Sequence, residues 1–144
     1  VAGYPEKHFE APNIKWDVMN LKNKIEAGAE YVTSQMFFDN TSFFEFEAAC
    51  RKAGITAPII PGLKVLTSKK QLQSLPARFH IQIPEDLASE VAEAKDHEVP
   101  EIGVKWAIRQ CDELLSRGFS NLHFYIIQTP HHASAVVKSL RKLA

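Results

Sequence analysis

The segment EYVTSQMFFD at residues 30–39 decides the fold of this chain. Its β-branched and apolar residues predict a buried strand over 30–36, and the two phenylalanines that follow extend the apolar stretch. Residues 39–41, an Asp-Asn-Thr cluster, supply side-chain oxygens of the kind that cap a helix. The segment therefore predicts a strand that leads directly into a helix, which is the repeating unit of a parallel α/β sheet.

The same unit recurs on both sides of this segment. Apolar spacing predicts a helix over 15–27 that stops at Gly28, and a helix over 42–53 that stops at Gly54. The other predicted elements are strands over 1–4, 57–62 and 121–127, and helices over 69–72, 84–95, 98–117 and 132–143. The apolar positions expected to face the core are Trp16, Met19, Leu21 and Ile25 in the first helix, and Val104, Ile108, Cys111 and Leu115 in the fifth.

Alternating strands and helices predict an α/β protein with a parallel sheet covered by helices. The sheet can be open and doubly wound, or it can belong to a (β/α)8 TIM barrel. A complete barrel needs eight strands and about 250 residues, whereas this chain has 144 residues and four predicted strands. The sequence thus predicts either a small open α/β domain or half a barrel. No linker divides it, and residues 1–144 are treated as one unit.

Composition excludes several classes of protein. Hydrophobic residues make up 45% of the chain and charged residues 24%, as in ordinary globular proteins. No apolar run reaches the roughly 20 residues of a membrane helix. Seventeen basic residues balance 17 acidic ones, which argues against nucleic acid as a partner and allows a homo-oligomer to form without charge repulsion. Cys50 and Cys111 are expected to be reduced, packed thiols in a cytoplasmic protein.

Common catalytic and binding motifs are absent from the sequence. It contains no glycine-rich nucleotide loop, no GxSxG elbow and no CxxC pair. His123, His131 and His132 come nearest to a metal cluster, but adjacent histidines point in different directions, so a solvated helix start is the favoured interpretation. We predict no metal site.

The ends of the predicted strands carry the candidate binding residues, because ligands of parallel α/β proteins bind at that edge. Tyr4 can stack on a flat ligand ring or simply plug the rim. Asp17, Asn20 and Lys24 share one helix face, where they can bind a polar or phosphate-bearing chain or remain a solvated surface. One residue of the His-Phe-Tyr run at 123–125 is expected to face the same edge.

Gln35 is the sharpest of these candidates. It lies near the end of an apolar strand, where a planar amide must find hydrogen-bond partners. Its two donors and one acceptor suit the edge of a pterin or pyrimidine ring. A structural glutamine bonded to the neighbouring strand is the alternative.

Four blocks of sequence, in order, resemble the methylenetetrahydrofolate reductase family. They are VAGYPEKHFEAPN at 1–13, DVMNLKNKIEAGAEYVTSQMFFD at 17–39, CRKAGITAPIIPGLKVL at 50–66 and NLHFY at 121–125. The resemblance implies a (β/α)8 barrel of which this chain forms the last four βα units. It also implies reduction of 5,10-methylenetetrahydrofolate to 5-methyltetrahydrofolate by a ping-pong cycle, with NADH or NADPH as donor and FAD as hydride carrier.

Site residues follow from the resemblance position by position. It implies FAD contacts for Tyr4, His8 and Ala11, contacts to the ribityl and phosphate portion of FAD for Asp17, Asn20 and Lys24, and folate contacts for Gln35 and Gln71.

Three departures from the family pattern are visible. Some relatives carry a basic residue near Asn23, so one phosphate contact is expected to be missing here. Relatives place an arginine near position 129, where this chain has Thr129 in the segment 126–129. The family's catalytic glutamate belongs to the four strands that precede this region, so the catalytic residues are unknown here and the chain is not expected to be active without the N-terminal half of the barrel. The alternative is a non-catalytic half-barrel, or a flavin- or pterin-binding module, that pairs with another chain.

Overall fold

The computed structural model describes residues 1–127 and 129–141 as alternating strands and helices. Within these residues it has four strands and six helices. They are β1 (Ala2–Gly3), α1 (Ile14–Glu26), β2 (Val32–Met36), α2 (Asn40–Lys52), β3 (Ile59–Leu63), α3 (Gln71–Phe79), α4 (Glu85–Glu93), α5 (Val99–Ser116), β4 (His123–Phe124) and α6 (His131–Leu140).

The four strands form one parallel sheet in the order in which they occur in the sequence, β1-β2-β3-β4. This confirms the predicted α/β class and the parallel sheet. The central pair is β2 and β3, and its register shifts between Thr33 and Met36. Such an irregularity leaves backbone groups of the ladder to be satisfied by other partners.

Ser34 supplies those partners where the ladder shifts. Its Oγ accepts a hydrogen bond from Gly62 N at 2.8 Å and donates one to the carbonyl of Gln35 at 3.0 Å. The Tyr125 hydroxyl donates to the carbonyl of Ser34 at 2.9 Å, which connects the end of β4 to β2. A Cβ atom at Gly62 would lie 2.2 Å from the Ser34 carbonyl oxygen, so only glycine allows this approach.

Two groups of buried side chains form the core. One packs β2 and β3 against α2, α5 and α6, with Phe37 and Phe43 stacked at 5.0 Å between ring centres. The other lies beneath α3 and α4 and includes Phe38, Leu66 and Leu87. Together they bury apolar side chains on which the free energy of folding mainly depends.

The boundaries of several elements differ from the prediction. The strands β1 and β4 have only two residues each, shorter than the predicted strands over 1–4 and 121–127. Helix α3 begins at Gln71 rather than 69 and runs through Pro76 to Phe79, where His80 ends it in a left-handed conformation (φ 54°). The last helix is described to Leu140, and its predicted end at 143 lies outside the described residues.

Two helices pack through a face that matches the prediction only in part. In α1, Leu21 is buried and Ile25 packs against the core, as predicted, but Trp16 and Met19 are 50% and 45% exposed. In α5, Cys111 is buried and Val104 and Ile108 pack against the core, as predicted, whereas Leu115 is exposed and Leu114 is buried. The prediction was wrong at Trp16, Met19 and Leu115 because other apolar residues of the same helices also have helical spacing, and tertiary packing selects which of them are buried.

Both cysteines are buried free thiols, as predicted. Burial raises the pKa of Cys50 to about 11 and that of Cys111 to about 12, so neither forms a thiolate at neutral pH. In the part of the chain that the structure describes, no helix is both long and apolar enough to cross a membrane.

The substitution Ser34→Ala tests the connection between the central strands. It leaves the buried Gly62 N–H without an acceptor, so we expect the free energy of unfolding to fall by about 1–3 kcal/mol. Chemical denaturation measures the change. Ser89→Ala, at an exposed position of α4, is the matched control and should change stability by less than about 0.5 kcal/mol. Equal stability of the Ser34→Ala variant and the native protein would contradict the assigned role.

Candidate active site at the carboxyl edge of the sheet

The carboxyl ends of the strands bring polar and aromatic side chains to one edge of the sheet. Tyr4 follows β1, Gln35 lies near the end of β2, Lys64 follows β3 and Tyr125 follows β4. This edge binds the ligand in parallel α/β proteins, because connecting loops there can vary without disturbing the core. The arrangement therefore marks the edge as the candidate site.

The loop between β1 and α1 is held in shape by Lys7. This residue adopts a left-handed backbone conformation (φ 73°), which is uncommon for a side chain other than glycine. Its Nζ donates to the carbonyls of His8 at 3.1 Å and Ala11 at 2.7 Å. The buried Ala11 also donates its backbone N–H to the carbonyl of His8 at 3.0 Å. The loop that carries three of the predicted contact residues is thus a compact, internally bonded turn.

Three of the predicted cofactor residues meet around this loop. The rings of Tyr4 and His8 lie edge to face with centres 4.6 Å apart. The backbone N–H of His8 donates to Oδ2 of Asp17 at 2.5 Å, which connects the loop to the first turn of α1. The Asp17 carboxylate therefore positions the loop, while the aromatic side chains of Tyr4 and His8 lie beside it.

Asn20 and Lys24 lie farther along α1, and both are exposed. Their spacing of three and seven residues from Asp17 places them on the same side of the helix as that carboxylate. An amide and an ammonium in one line can bind hydroxyl and phosphate groups of an extended ligand. Their role in binding a cofactor stays a prediction.

The half-buried Gln35 is partly satisfied by its own strand. Its Oε1 accepts from the backbone N–H of Met36 at 3.0 Å, rather than bonding to the neighbouring strand. Among the residues that the structure describes, no acceptor is found for its Nε2 group. Gln35 lines a small cleft together with Tyr4, Glu6 and His80. The cleft has a volume of only about 10 Å³, so the amide donors are available at the edge of the sheet rather than inside a formed pocket.

Gln71 belongs to a different part of the edge. It lines a cavity of about 370 Å³ between the ends of β3 and β4 and the start of α6, together with Lys64, Tyr125 and His132. Its Oε1 accepts from the backbone N–H of Thr67 at 2.6 Å and so closes the turn before α3. The two glutamines assigned to the substrate thus line separate openings. Of the run at 123–125, from which one residue was expected at this edge, both Phe124 and Tyr125 line the cavity, and His123 is exposed.

Two charged residues of the edge were not predicted from the sequence. Lys64 is charged but only 7% exposed, and it is the one charged residue in an otherwise apolar segment at 59–66. Glu6 accepts a hydrogen bond from Gln82 N at 2.6 Å, and burial raises the pKa of its carboxyl. A lone charge inside an apolar run is the signal that could have identified Lys64, because an unpaired buried charge is costly.

The described part of the chain holds no group of three or more His, Cys, Asp or Glu side chains placed to bind a metal ion. The rings of His131 and His132 lie nearly perpendicular to each other with centres 5.4 Å apart. The two side chains therefore pack edge to face against each other at the start of α6.

Comparisons with known proteins place this parallel α/β domain in a family. The family model for methylenetetrahydrofolate reductase matches residues 1–141. A probable methylenetetrahydrofolate reductase (NADPH) of Caenorhabditis elegans is 34% identical over 142 residues, which cover 96% of this chain and 21% of that protein. Methylenetetrahydrofolate reductase 2 of Saccharomyces cerevisiae is 38% identical, with 87% of this chain and 22% of that protein covered.

A bacterial relative is similar over the same region. The 5,10-methylenetetrahydrofolate reductase of Buchnera aphidicola is 36% identical, with 97% of this chain and 48% of that protein covered. The chain thus spans about half or less of the length of these curated relatives. Because the family model matches almost the whole chain, this protein belongs to the methylenetetrahydrofolate reductase family.

The half-buried Glu6 carboxyl predicts a pH dependence of stability. Burial raises its pKa above the ordinary value of 4.5, so the folded state retains a proton that the unfolded state releases as the pH rises above that value. This contribution to stability is therefore present at low pH and is lost as the pH rises through the folded-state pKa.

Replacing Glu6 with Gln removes this dependence while keeping an oxygen that can accept from Gln82 N. The unfolding free energy of the Glu6→Gln variant, relative to the native protein, is expected to be higher at pH 7 than at pH 4. Denaturation curves at the two pH values measure it. Glu26→Gln, at the exposed end of α1, serves as the control. The unfolding free energy of this variant relative to the native protein should be the same at pH 4 and at pH 7. A pH-independent effect of Glu6→Gln would refute the prediction.

Proposed function

We propose that this chain is the C-terminal half of a (β/α)8 reductase barrel. Its parallel strands follow one another in sequence order, as in a barrel wall. In the described residues, β1 and β4 each pair on one side only, which leaves an edge that four further strands can complete. The chain spans between 21% and 48% of the length of the relatives compared above, which agrees with a partial barrel.

The proposed reaction is the reduction of 5,10-methylenetetrahydrofolate to 5-methyltetrahydrofolate, with NADH or NADPH as the electron donor. The observation that carries it is the available amide of Gln35 at the carboxyl edge, in a chain that belongs to this family. Relatives are named as reductases that use NADPH or NADH. We also propose that the enzyme acts in the cytoplasm.

The chemistry of the β1–α1 region fits FAD. Tyr4 and His8 offer ring surfaces beside a compact loop, in which the buried Ala11 is hydrogen-bonded to Lys7 and His8. Asn20 and Lys24 extend this region along α1 with groups that bind hydroxyls and phosphates. FAD, when bound, supplies a two-electron carrier that accepts from the nicotinamide and donates to the folate in a ping-pong cycle.

Gln35 is proposed to orient the folate ring. Its Oε1 is held by Met36 N at 3.0 Å, which fixes the plane of the amide. The Nε2 donors then point to the remaining side, where they can bind an acceptor on the edge of a pterin. Gln71 is proposed as a second substrate contact at the neighbouring cavity.

The catalytic acid is assigned to no residue of this chain. We propose that it belongs to the N-terminal half of the barrel and that the chain alone is inactive. The decisive experiment uses the full-length flavoprotein, with NADH or NADPH as donor and either methylenetetrahydrofolate or an artificial electron acceptor. Reduction of both acceptors is expected. Failure to reduce either would overturn the proposed function and favour a non-catalytic module that pairs with another chain.

Lys24→Ala tests the contact to the phosphate portion of FAD. Loss of one charge-assisted hydrogen bond is expected to weaken the binding of FAD about tenfold, as a rise in its Kd. Flavin absorbance after dialysis of the full-length protein measures it. Lys22→Ala removes the same charge from another side of α1, where Lys22 lines a groove between α1 and α2, and should retain flavin as the native protein does. Equal retention by both variants would contradict the assignment.

Gln35→Glu tests the folate contact. The substitution keeps an oxygen for Met36 N and removes the two amide donors, so the fold should be preserved. The rate of methylenetetrahydrofolate reduction is expected to fall about tenfold or more, while reduction of the flavin by NAD(P)H changes less than about twofold. Separate half-reactions in a stopped-flow instrument measure the two rates. Gln73→Glu, at an exposed position of α3, is the control. Equal losses in both half-reactions would indicate a purely structural glutamine.

A further inference from the structure

A groove between α1 and α2 lies away from the carboxyl edge of the sheet. It has a volume of about 640 Å³, and its lining comes from these two helices and from Ala53 directly after α2. Among the lining residues Val18 is buried and Met19 is 45% exposed, while the small Ala49 and Ala53 stand on the α2 side. Apolar side chains thus form most of an open surface depression, which we call the α1–α2 groove.

Three lysines also line the α1–α2 groove. Lys15 and Lys22 belong to α1 and lie about 10 Å apart along the helix axis, and Lys52 belongs to α2. All three are exposed, and none forms an ion pair within the part of the chain that the structure describes. Among the described residues that line the groove, none is acidic. The groove therefore combines an apolar surface with positive charge on both of its helices, which favours a negatively charged partner.

A complete barrel would leave the α1–α2 groove uncovered. The groove lies between the helices that follow β1 and β2, and these two strands are already paired with each other. Four further strands would extend the sheet from β1 and from β4, so their helices would pack beside α1 and α6 on the other sides. The apolar surface between α1 and α2 thus stays exposed to solvent unless another partner covers it.

We propose that the α1–α2 groove binds an acidic amphipathic helix of a partner protein. A row of apolar side chains at helical spacing fits between two neighbouring helices, as ridges fit grooves in helix packing. Carboxylates on both sides of that row would meet the lysines, and complementary charge of this kind provides specificity and speeds association. The separation of Lys15 and Lys22 by about 10 Å matches charges repeated along a helix, rather than the single headgroup of a fatty acid. The proposal goes beyond the reductase function and does not depend on it.

The experiment uses the full-length flavoprotein and a synthetic peptide as the probe. The peptide has about 18 residues, with leucines at positions i, i+3, i+4 and i+7 and glutamates on the opposite face, so that it forms an amphipathic helix. Fluorescence anisotropy of the labelled peptide measures its Kd, which is expected to be on the order of 10 μM at low salt and to rise as salt screens the lysines. Two control peptides, one with lysine in place of glutamate and one with the same residues in scrambled order, are expected to bind at least about tenfold more weakly.

Variants of the α1–α2 groove test which residues bind the peptide. The combined substitutions Lys15→Gln, Lys22→Gln and Lys52→Gln are expected to raise the Kd of the acidic peptide about tenfold or more. Substitution of the same three lysines by glutamate should make the protein prefer the lysine peptide, a reversal that a loss of folding cannot produce. Met19→Gln is expected to raise the Kd of the acidic peptide about threefold, because it removes apolar contact. Lys70→Gln, at an exposed position outside the groove, is the control and should leave this Kd unchanged.

Each outcome decides for or against the docking surface. Preferential binding of the acidic peptide, lost in the glutamine variant and reversed in the glutamate variant, supports it. The proposal is overturned if no peptide binds, if the three peptides bind equally, or if the groove variants bind as the native protein does. Without peptide binding, self-association in sedimentation or binding to phosphatidylglycerol vesicles that depends on the groove lysines would also overturn it, in favour of a second copy or a membrane surface.

A reductase assay separates this proposal from the proposed function. The groove variants are expected to reduce methylenetetrahydrofolate at rates within about twofold of the native rate, because the substituted residues lie outside the candidate active site. Normal reduction without peptide binding overturns the docking surface alone. Binding of the acidic peptide by a flavoprotein that reduces no folate overturns the proposed function alone.

Discussion

The ligand-facing edge depends on the way in which β2 meets β3 at Ser34. The register of the two strands shifts at this residue, and its hydroxyl replaces a missing ladder partner by accepting from Gly62 N. Its carbonyl accepts from the Tyr125 hydroxyl, so β4 is held by the same residue. Because glycine at position 62 permits the close approach, the ends of three strands are aligned around one buried serine.

Helix α5 holds the chain where it leaves the sheet after Met36. Trp106 Nε1 donates to the carbonyl of Phe38 at 2.9 Å, and Gln110 Nε2 donates to the carbonyl of Phe37 at 3.2 Å. Two side chains of a long helix thereby satisfy buried carbonyls that lie beyond the paired part of β2. The amide of Gln35 thus projects from a backbone that is fixed on both sides, by Ser34 and by α5. Rigid support of this kind orients a binding group before the ligand arrives.

The order and type of the elements could be predicted because they depend on local patterns. Residues 30–39 predicted a strand followed by a helix, and the structure confirms both, with Asp39 as the helix cap. The prediction was wrong where two local patterns competed. In α1 the buried Val18 and Leu21 are three residues apart just as the exposed Trp16 and Met19 are, and of the buried pair only Leu21 was predicted. The hydrogen bond from His8 N to the Asp17 side chain connects the preceding loop to α1. Hydrophobic periodicity predicts helices and strands, but it does not predict a contact between a loop and a helix.

The sequence by itself determined the alternation of strands and helices, the class of the fold and the resemblance that identifies the family, because these follow from spacing and residue type along the chain. Tertiary structure alone decided that Gln35 and Gln71 line separate openings and that Lys64 is buried without a counter-charge in the described residues. The physical reason is that burial and pairing of a charge depend on residues far apart in sequence. Only the packed sheet brings the end of β3, the end of β4 and the first turn of α6 around one ammonium group.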